Sequence, residues 1–421
     1  CEADGTALTV SESGVYRLSG SCADGSVTIK KGTTDVTLIL DNLTLTSTDT
    51  APITCGKSSQ VTIEAAAGTV NALSDSEQNN GDTYPANENA ENAVLKCKDG
   101  SQVTLCGTGS LTLTANGKNG IKSGASTDED GEASLTIREL TLTIHAPVND
   151  AINAGQLLTI ESGELTISAA DDAIHCDYTL QIGAEGTDGP AISITNCYEG
   201  LEAATLNVAS GDIRIRASDD CLNAANSDLT GFDFSMNLSG GTINAYTTDG
   251  DGFDSNGTMT VSGGTICVWT ANTADNQPLD ADGTITITGG TVLAAGGSAG
   301  MGMKLSVSQP YVTFGQSGSM QPRGGGADAL ISNGSTLAIW DETDTLFSME
   351  APCSARFVFY SSPELTEDGS YTLLSDGENA GTAEAQTGES QSGFGGMPGG
   401  RPGGFDPNGE VPSDMPNSET P

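Results

Sequence analysis

Positive charge is what this chain has least of. It carries 15 Lys and Arg against 56 Asp and Glu, a formal net charge of −41 over 421 residues. A field of that sign repels nucleic acid and anionic bilayer surfaces and attracts cations. No run of 18 apolar residues occurs, so no transmembrane helix is expected. There are two histidines, and the ten cysteines do not cluster at ligand spacing, which speaks against zinc. Aromatics make up only 5 % and hydrophobic residues 36 %, while there are 55 glycines and Ser and Thr are plentiful. That composition suits many short strands and tight turns better than helices. The first residue is Cys1. Chains beginning at Cys resemble mature bacterial lipoproteins, so lipidation at Cys1 and an extracytoplasmic, surface-anchored location are expected.

What is abundant is repetition. Residues 1–50 alternate in the strand manner, as in "VTLILDNLTLTS". A short signature then recurs: acid or amide, small residue, large aliphatic, polar residue. It reads "NAVL" at 92, "NGIK" at 119, "DAIN" at 150, "DAIH" at 172, "EGLE" at 199, "DCLN" at 220 and "DGFD" at 251, with a weaker "QPLD" at 277. Between these copies lie turn-to-strand segments such as "SGELTI" (162–167), "SGDIRI" (210–215) and "SGGTIN" (239–244). A period of 20–30 residues holding two or three strands, without helical periodicity, predicts an all-β, parallel β-helix over 51–305. Residues 1–50 form its N-terminal strands. The pattern fades after about 305, and strand-like runs over 306–375 predict a C-terminal β cap that covers an open sheet edge. Residues 376–421 are rich in Gly and Pro and read as a disordered tail.

Alternation within Asp172-Ala173-Ile174-His175 turns Ile174 inward and sends Ala173 and His175 outward. Stacked copies then give two rows. One, at the turn, holds Asp150, Asp172, Glu199, Asp220 and Asp251, with Asp171, Asp219 and Asp249 beside it. The other holds Asn153, His175, Glu202, Asn223, Asp254 and Asp280, with Asp282 close by. Neighbouring carboxylates about 4.8 Å apart repel by roughly 3 kcal/mol at an effective dielectric near 20. Cations between the copies would relieve this. Ca²⁺ takes six to eight oxygens in irregular geometry and suits such rows better than Mg²⁺. The rival reading is that these acids only cap turns through backbone hydrogen bonds.

"APITCGKSSQVTI" (51–63) aligns without a gap with "AVLKCKDGSQVTL" (93–105), pairing Cys55 with Cys97. The pair is either a disulfide or two buried thiols.

"SGVYRLSGSCADGSVTIKKGTTDVTLILDNLTLTSTDTAPI", then "NALSD", "GTGSLTLTANGKNGIKS", "DDAIHCD" and finally "SSPELTEDGSYTLLSDG", resembles the clostridial-type carbohydrate-binding domain-containing family over roughly residues 8–375. The resemblance implies a right-handed parallel β-helix at the cell surface that binds calcium, cellulose-like glucans and acidic sugars. Its outline is similar to that of pectate-lyase-type lyases. It places calcium carboxylates on the Asp-rich turns, matched here by Asp171, Asp172, Asp219, Asp220, Asp249 and Asp251. Glu199, Glu202 and "QPLD" depart from the pattern.

The reading that follows is a monomeric, non-catalytic binder of plant-type polysaccharide. Ca²⁺ would bridge the acid rows to uronates, and Tyr198, Tyr246, Phe253 and Trp269 are candidate sugar platforms. The rival is a calcium-dependent polysaccharide lyase, whose base would come from Arg214, Arg216 or His175, with Lys122 and Lys304 at the ends of the rows. Pairing of the arginines with the acid rows is the plainer expectation. A calcium-rigidified adhesin is the third reading.

Overall fold

The computed structural model describes residues 1–129, 131–271, 276–297, 303–315 and 329–391. Every regular element among them is a strand. The strands are short because apolar residues alternate with Thr and Ser between Gly or Asp turns. In Ser110–Thr114, for example, Leu111 and Leu113 are buried and the flanking polar residues are not. Most strands belong to one large mixed sheet, and four form a second.

The large sheet contains three ladders of parallel pairs. The first runs through Ser26–Ile29, Ile53–Cys55, Ala93–Cys97, Asn119–Ser123 and Ile152–Ala154, then Ile174, Leu201, Leu222–Ala224 and Phe253–Ser255. The second includes Gln60–Ala65, Gln102–Cys106, Ser134–Ile137, Leu157–Ile160 and later Ser235–Leu238, Thr258–Val261 and Ile285–Ile287. The third runs from Val70–Ser74 through Leu140–Ala146, Asp212–Ala217 and Thr242–Thr247 to Thr265–Thr270 and Thr291–Gly296. Aliphatic side chains from all three meet in one core. Apolar burial of this kind contributes roughly 25 cal/mol per Å² removed from water.

Antiparallel pairs close the ends. Glu2–Asp4 pairs with Ala7–Val10, and Thr291–Gly296 and Lys304–Gly315 both pair with Phe357–Ser361. Thr336–Trp340, Thr345–Glu350, Ser370–Ser375 and Glu378–Glu384 make the second sheet. That sheet packs over the outer face of the third ladder. Cys267, Trp269, Leu293 and Ala295 are buried there beneath Leu337, Ile339 and Leu373.

Three sequence expectations change. First, the disorder expected from 376 does not hold as far as 391: Glu378–Glu384 and Gln386–Gln391 are strands, with Ala385 buried in the second core. Their backbone pairing to Ser370–Ser375 and Lys304–Gly315 outweighs a composition that reads as loop. Residues 392–421, and 298–302 of the repeat region, lie outside the described residues. Second, the "NAVL" copy is shifted by one: Ala93 aligns with Asn119 and Leu95 with Ile121, so the true copy is "AVLK".

Third, the small residue of the signature does not point out. Ala151, Ala173 and Cys221 have no exposed surface. A Cβ at Gly120 would stand 2.5 Å from Ile144 Cγ2, and one at Gly200 2.7 Å from Ile215 Cγ2. The chain turns inward where it enters the first ladder, and the third ladder's isoleucines leave room there for Gly, Ala or Cys only. The one long register step, 42 residues between Gln60 and Gln102, is taken up by the segment 75–92. Buried Asn79 ties that segment down. It donates to Asp75 Oδ2 and the Ala93 carbonyl, both at 2.9 Å, and accepts from Glu91 N at 2.7 Å.

Candidate functional site

The signature's polar residues fall into two stacked rows. Backbone bonds from Gly120 N to Asp150 O, Ala151 N to Asp172 O, Ala173 N to Glu199 O, Gly200 N to Asp220 O and Gly252 N to Gln277 O stack the first positions. The fourth positions follow in register as Lys96, Lys122, Asn153, His175, Glu202, Asn223 and Asp254. The Phe253–Leu279 bridge brings Asp280 alongside Asp254. This fourth-position row starts with the chain's own cations and ends in carboxylates.

Among the described residues, three groups along the rows bring ligand atoms within 4.8 Å of one another: Asp150–Asp171–Asp172, Asp172–His175–Glu202 and Asp251–Asp254–Asp280. They differ in what already satisfies them. In the first, Asp150 Oδ2 accepts from Asn153 Nδ2 at 2.7 Å. Burial, opposed by that bond, pushes the Asp150 carboxyl up to about 6.

In the second, His175 sits among three acids. Its Nε2 is 3.0 Å from Asp177 Oδ1, and its Nδ1 is 3.5 Å from Asp172 Oδ2 and in contact with Glu202 Oε2. Burial disfavours the imidazolium, but hydrogen bonds to Asp172, Asp177 and Glu202 outweigh it and push His175 up to about 12. The charged ring is the cation at this level. His175 therefore closes this site rather than opening it to a metal.

Among the described residues the third group has no such partner. Between Arg216 and Lys304 the sequence contains no Lys, Arg or His. Burial first, then repulsion from Asp280 and Asp254, pushes Asp251 up to about 7 despite its bond from Gln277 N. Burial and Asp280 push Asp254 up to about 6. Two residues that adjoin this group each carry an unpaired oxygen. Gln277 Oε1 and Asn223 Oδ1 are buried without a hydrogen-bond partner. Asn223 is the register neighbour of Asp254, and Gln277 N donates to Asp251 Oδ1. An orphaned buried acceptor costs about 1–3 kcal/mol. Carboxylates with amide oxygens, all oxygen and no nitrogen, are the donor set a hard divalent cation takes. The residues present fit such an ion.

The other predicted acids lie on or beside the rows but outside these three groups. Asn223 Nδ2 donates to Glu199 Oε2 at 3.1 Å, and burial followed by repulsion from Glu202 and Asp172 pushes Glu199 up to about 8. Asp220 Oδ1 accepts from Asp251 N at 2.7 Å in a turn-capping bond, yet burial still pushes it up to about 8. Asp219 bonds the Tyr198 hydroxyl, holding that phenol up at about 12. Asp249 contributes its carbonyl to Asn276 Nδ2, and Asp282 is exposed. Turn capping thus accounts for some acids of these rows, such as Asp220, and not for the group at Asp251, Asp254 and Asp280. Sequence reasoning placed Asn223 in its row but missed Gln277. Gln277 heads the weak "QPLD" copy, and that position was the available signal.

Of the proposed sugar platforms, Tyr198 is 48 % exposed. Tyr246 is half-buried on the outer face of the third ladder. Trp269 is 1 % exposed and cannot present a ring face, because the second sheet covers it. Phe253 lies in the main core. The arginines do not pair with the acid rows. Arg214 Nη2 meets Asp212 at 3.0 Å, and Arg216 lies 5.3 Å over the Tyr246 ring. Cys55 and Cys97 are register neighbours but both are free thiols. They are in register on neighbouring parallel strands, buried in the same core. Their side chains hydrogen-bond, and this bond with burial pushes the Cys55 thiol well up. The lipidation expected at Cys1 involves an exposed residue at the chain's start.

A family model described as "Carbohydrate-binding domain-containing protein" matches residues 4–300. A carbohydrate-binding domain-containing protein of Acetivibrio thermocellus is 33 % identical over 115 residues, 27 % of this chain. The match spans 39 % of that relative's length. A polysaccharide lyase-like protein from C. thermocellum, solved as a gadolinium derivative, aligns with a TM-score of 0.38 at 23 % identity, over 68 % of this chain and 89 % of its own.

Proposed function

The chain belongs to the carbohydrate-binding domain-containing protein family, and from that premise we propose that it is a polysaccharide-binding protein whose acid rows hold Ca²⁺. The observation that carries the calcium reading is the third group. Among the described residues Asp251, Asp254 and Asp280 converge with no basic partner, and the adjoining Asn223 and Gln277 each bury an amide oxygen that has no hydrogen bond. Ca²⁺ bound there would be held by those three carboxylates, with Gln277 and Asn223 adding neutral oxygens. It supplies positive charge toward an anionic sugar. The three ladders, visited in a fixed order, support a right-handed parallel β-helix, the hand being that of parallel strand crossovers. The ligand we favour is a plant-type glycan, pectin-like or cellulose-like, met at the cell surface by a monomer.

Binding without chemistry is favoured over β-elimination by the division of charges. A lyase needs its base and its cation at one sugar unit. Here Arg214 and Arg216 stand on the third ladder and the free acid group on the first.

The test is retention of the protein on polygalacturonate and on cellulose, in Ca²⁺ and in excess EGTA. Retention on polygalacturonate in Ca²⁺, at least tenfold weaker after chelation, is expected. Equal mobility with and without either glycan would leave an adhesin or a stalk as the better reading. Growing absorbance from unsaturated uronate at high protein concentration would make it a lyase.

A further inference from the structure

Both arginines between residues 139 and 303, a stretch without lysine, line one groove. On Asp212–Ala217 the isoleucines face the core, so Arg214 and Arg216 face out, about 6.6 Å apart along the strand. One strand further on, Asn244 stacks beside Arg214 and Tyr246 beside Arg216. Two strands further on, the same rows reach Cys267 and Trp269, which the second sheet buries. The outer face of the third ladder is therefore open at the arginines and closed just beyond them. At that boundary lies a groove of about 360 Å³, with Met349 and Glu350 from the second sheet among its lining.

Two details point to a ligand. Trp269 lines the groove, is 1 % exposed, and its indole Nε1–H has no acceptor. A buried donor left unpaired is uncommon in a folded protein. Arg216 is also preset over Tyr246, its guanidinium carbon 5.3 Å from the ring centroid, so that a cation and an aromatic ring stand together in the groove.

We propose that this groove binds an acidic sugar residue of the polysaccharide, its carboxylate held by Arg214 and Arg216 and its ring set against Tyr246. The inference rests on the polysaccharide-binding reading above and adds a site separate from the acid rows. A chain of net charge −41 repels a polyanion almost everywhere, so recognition without a bridging metal needs a local reversal of sign. Arg216 supplies it, and Arg214 joins it by sharing its guanidinium between Asp212, 3.0 Å away, and the sugar carboxylate. Arginine's planar fork matches a carboxylate bidentately. Asn244 offers hydroxyl contacts, and the exposed Glu350 on the opposite side accepts from sugar hydroxyls.

The experiment is calorimetric titration of the full chain with tri- and hexagalacturonate, and with cellotetraose as the neutral control, in Ca²⁺ and in EGTA. The variants are Arg214→Ala, Arg216→Ala, Arg216→Lys and Tyr246→Ala, each checked for an unchanged unfolding temperature. Each arginine variant is expected to weaken galacturonate binding at least tenfold in both buffers. Arg216→Lys should recover only part of the loss, and cellotetraose should change little. Wild-type affinity for galacturonates in both arginine variants overturns the groove while leaving polysaccharide binding intact. Absence of galacturonate binding by the unaltered protein overturns the groove too, and with cellotetraose also silent it overturns the functional reading with it.

Discussion

Removing Ca²⁺ with excess EGTA at pH 8 is expected to lower the unfolding temperature by several degrees. Without the ion, Asp251, Asp254 and Asp280 must share a site to which no described residue brings positive charge, and the buried oxygens of Gln277 and Asn223 stay unpaired. An ion that binds only the folded state stabilises it by RT ln(1 + [L]/Kd), about 4 kcal/mol at a thousandfold excess over Kd. Asp254→Asn in Ca²⁺ should reproduce most of the chelator effect, and chelation should then add little. In the metal-free state the same substitution should be neutral or stabilising, because it removes a repulsive charge. Scanning calorimetry of both proteins in both buffers reads all four values. Superimposed curves for the unaltered chain, after verified metal removal, would mean that the third group is a set of turn caps.

The second large effect is the direction of the pH dependence. In the metal-free protein, burial and mutual repulsion push Glu199 and Asp220 up to about 8 and Asp251 up to about 7, against ordinary values near 4. Between about pH 4 and pH 8 the folded chain thus holds protons that the unfolded chain has released. Stability must fall as pH rises through that window. His175 acts in the same direction above about pH 6.5, since its folded value is raised to about 12. The metal-free protein is therefore expected to lose on the order of a few kcal/mol between pH 5 and pH 8. Most proteins gain stability or hold it over that range. Saturating Ca²⁺ should flatten or reverse the slope, because it binds the deprotonated carboxylates and gains on protons as pH rises. Urea titrations at pH 5, 6, 7 and 8 in both buffers check this. A metal-free stability that rises with pH would show that the acids are satisfied without an ion.

The two outcomes share a cause that the sequence displays openly: a small residue and an aliphatic behind a repeated acid. The registers of Asn153, His175, Glu202, Asn223 and Asp254 follow from that repeat, since one aliphatic per copy must reach the core. The large all-β sheet and the separate C-terminal strands are likewise readable from alternation and Gly-rich turns. Other features depend on contacts that a linear pattern does not contain. Gly120 and Gly200 are turned inward against Ile144 and Ile215 of another ladder, and Ala173 at the same place in its copy is fully buried, against simple alternation. Trp269 is hidden by a sheet more than 60 residues downstream. Whether an acid caps a turn, as Asp220 does, or meets two others, as Asp254 does, depends on which neighbouring copy places its own acid within reach. The arginines' groove likewise exists only because the second sheet stops at Tyr246.

The most direct test of the cation site is calorimetric titration of Ca²⁺ into chelator-stripped protein, alongside an Asp251→Asn/Asp254→Asn variant. Saturable binding by the unaltered chain, with proton release that grows below pH 7, and loss of that binding in the variant are the expected results. No saturable heat with the unaltered chain, or the same isotherm with the variant, would contradict a metal site at Asp251, Asp254 and Asp280.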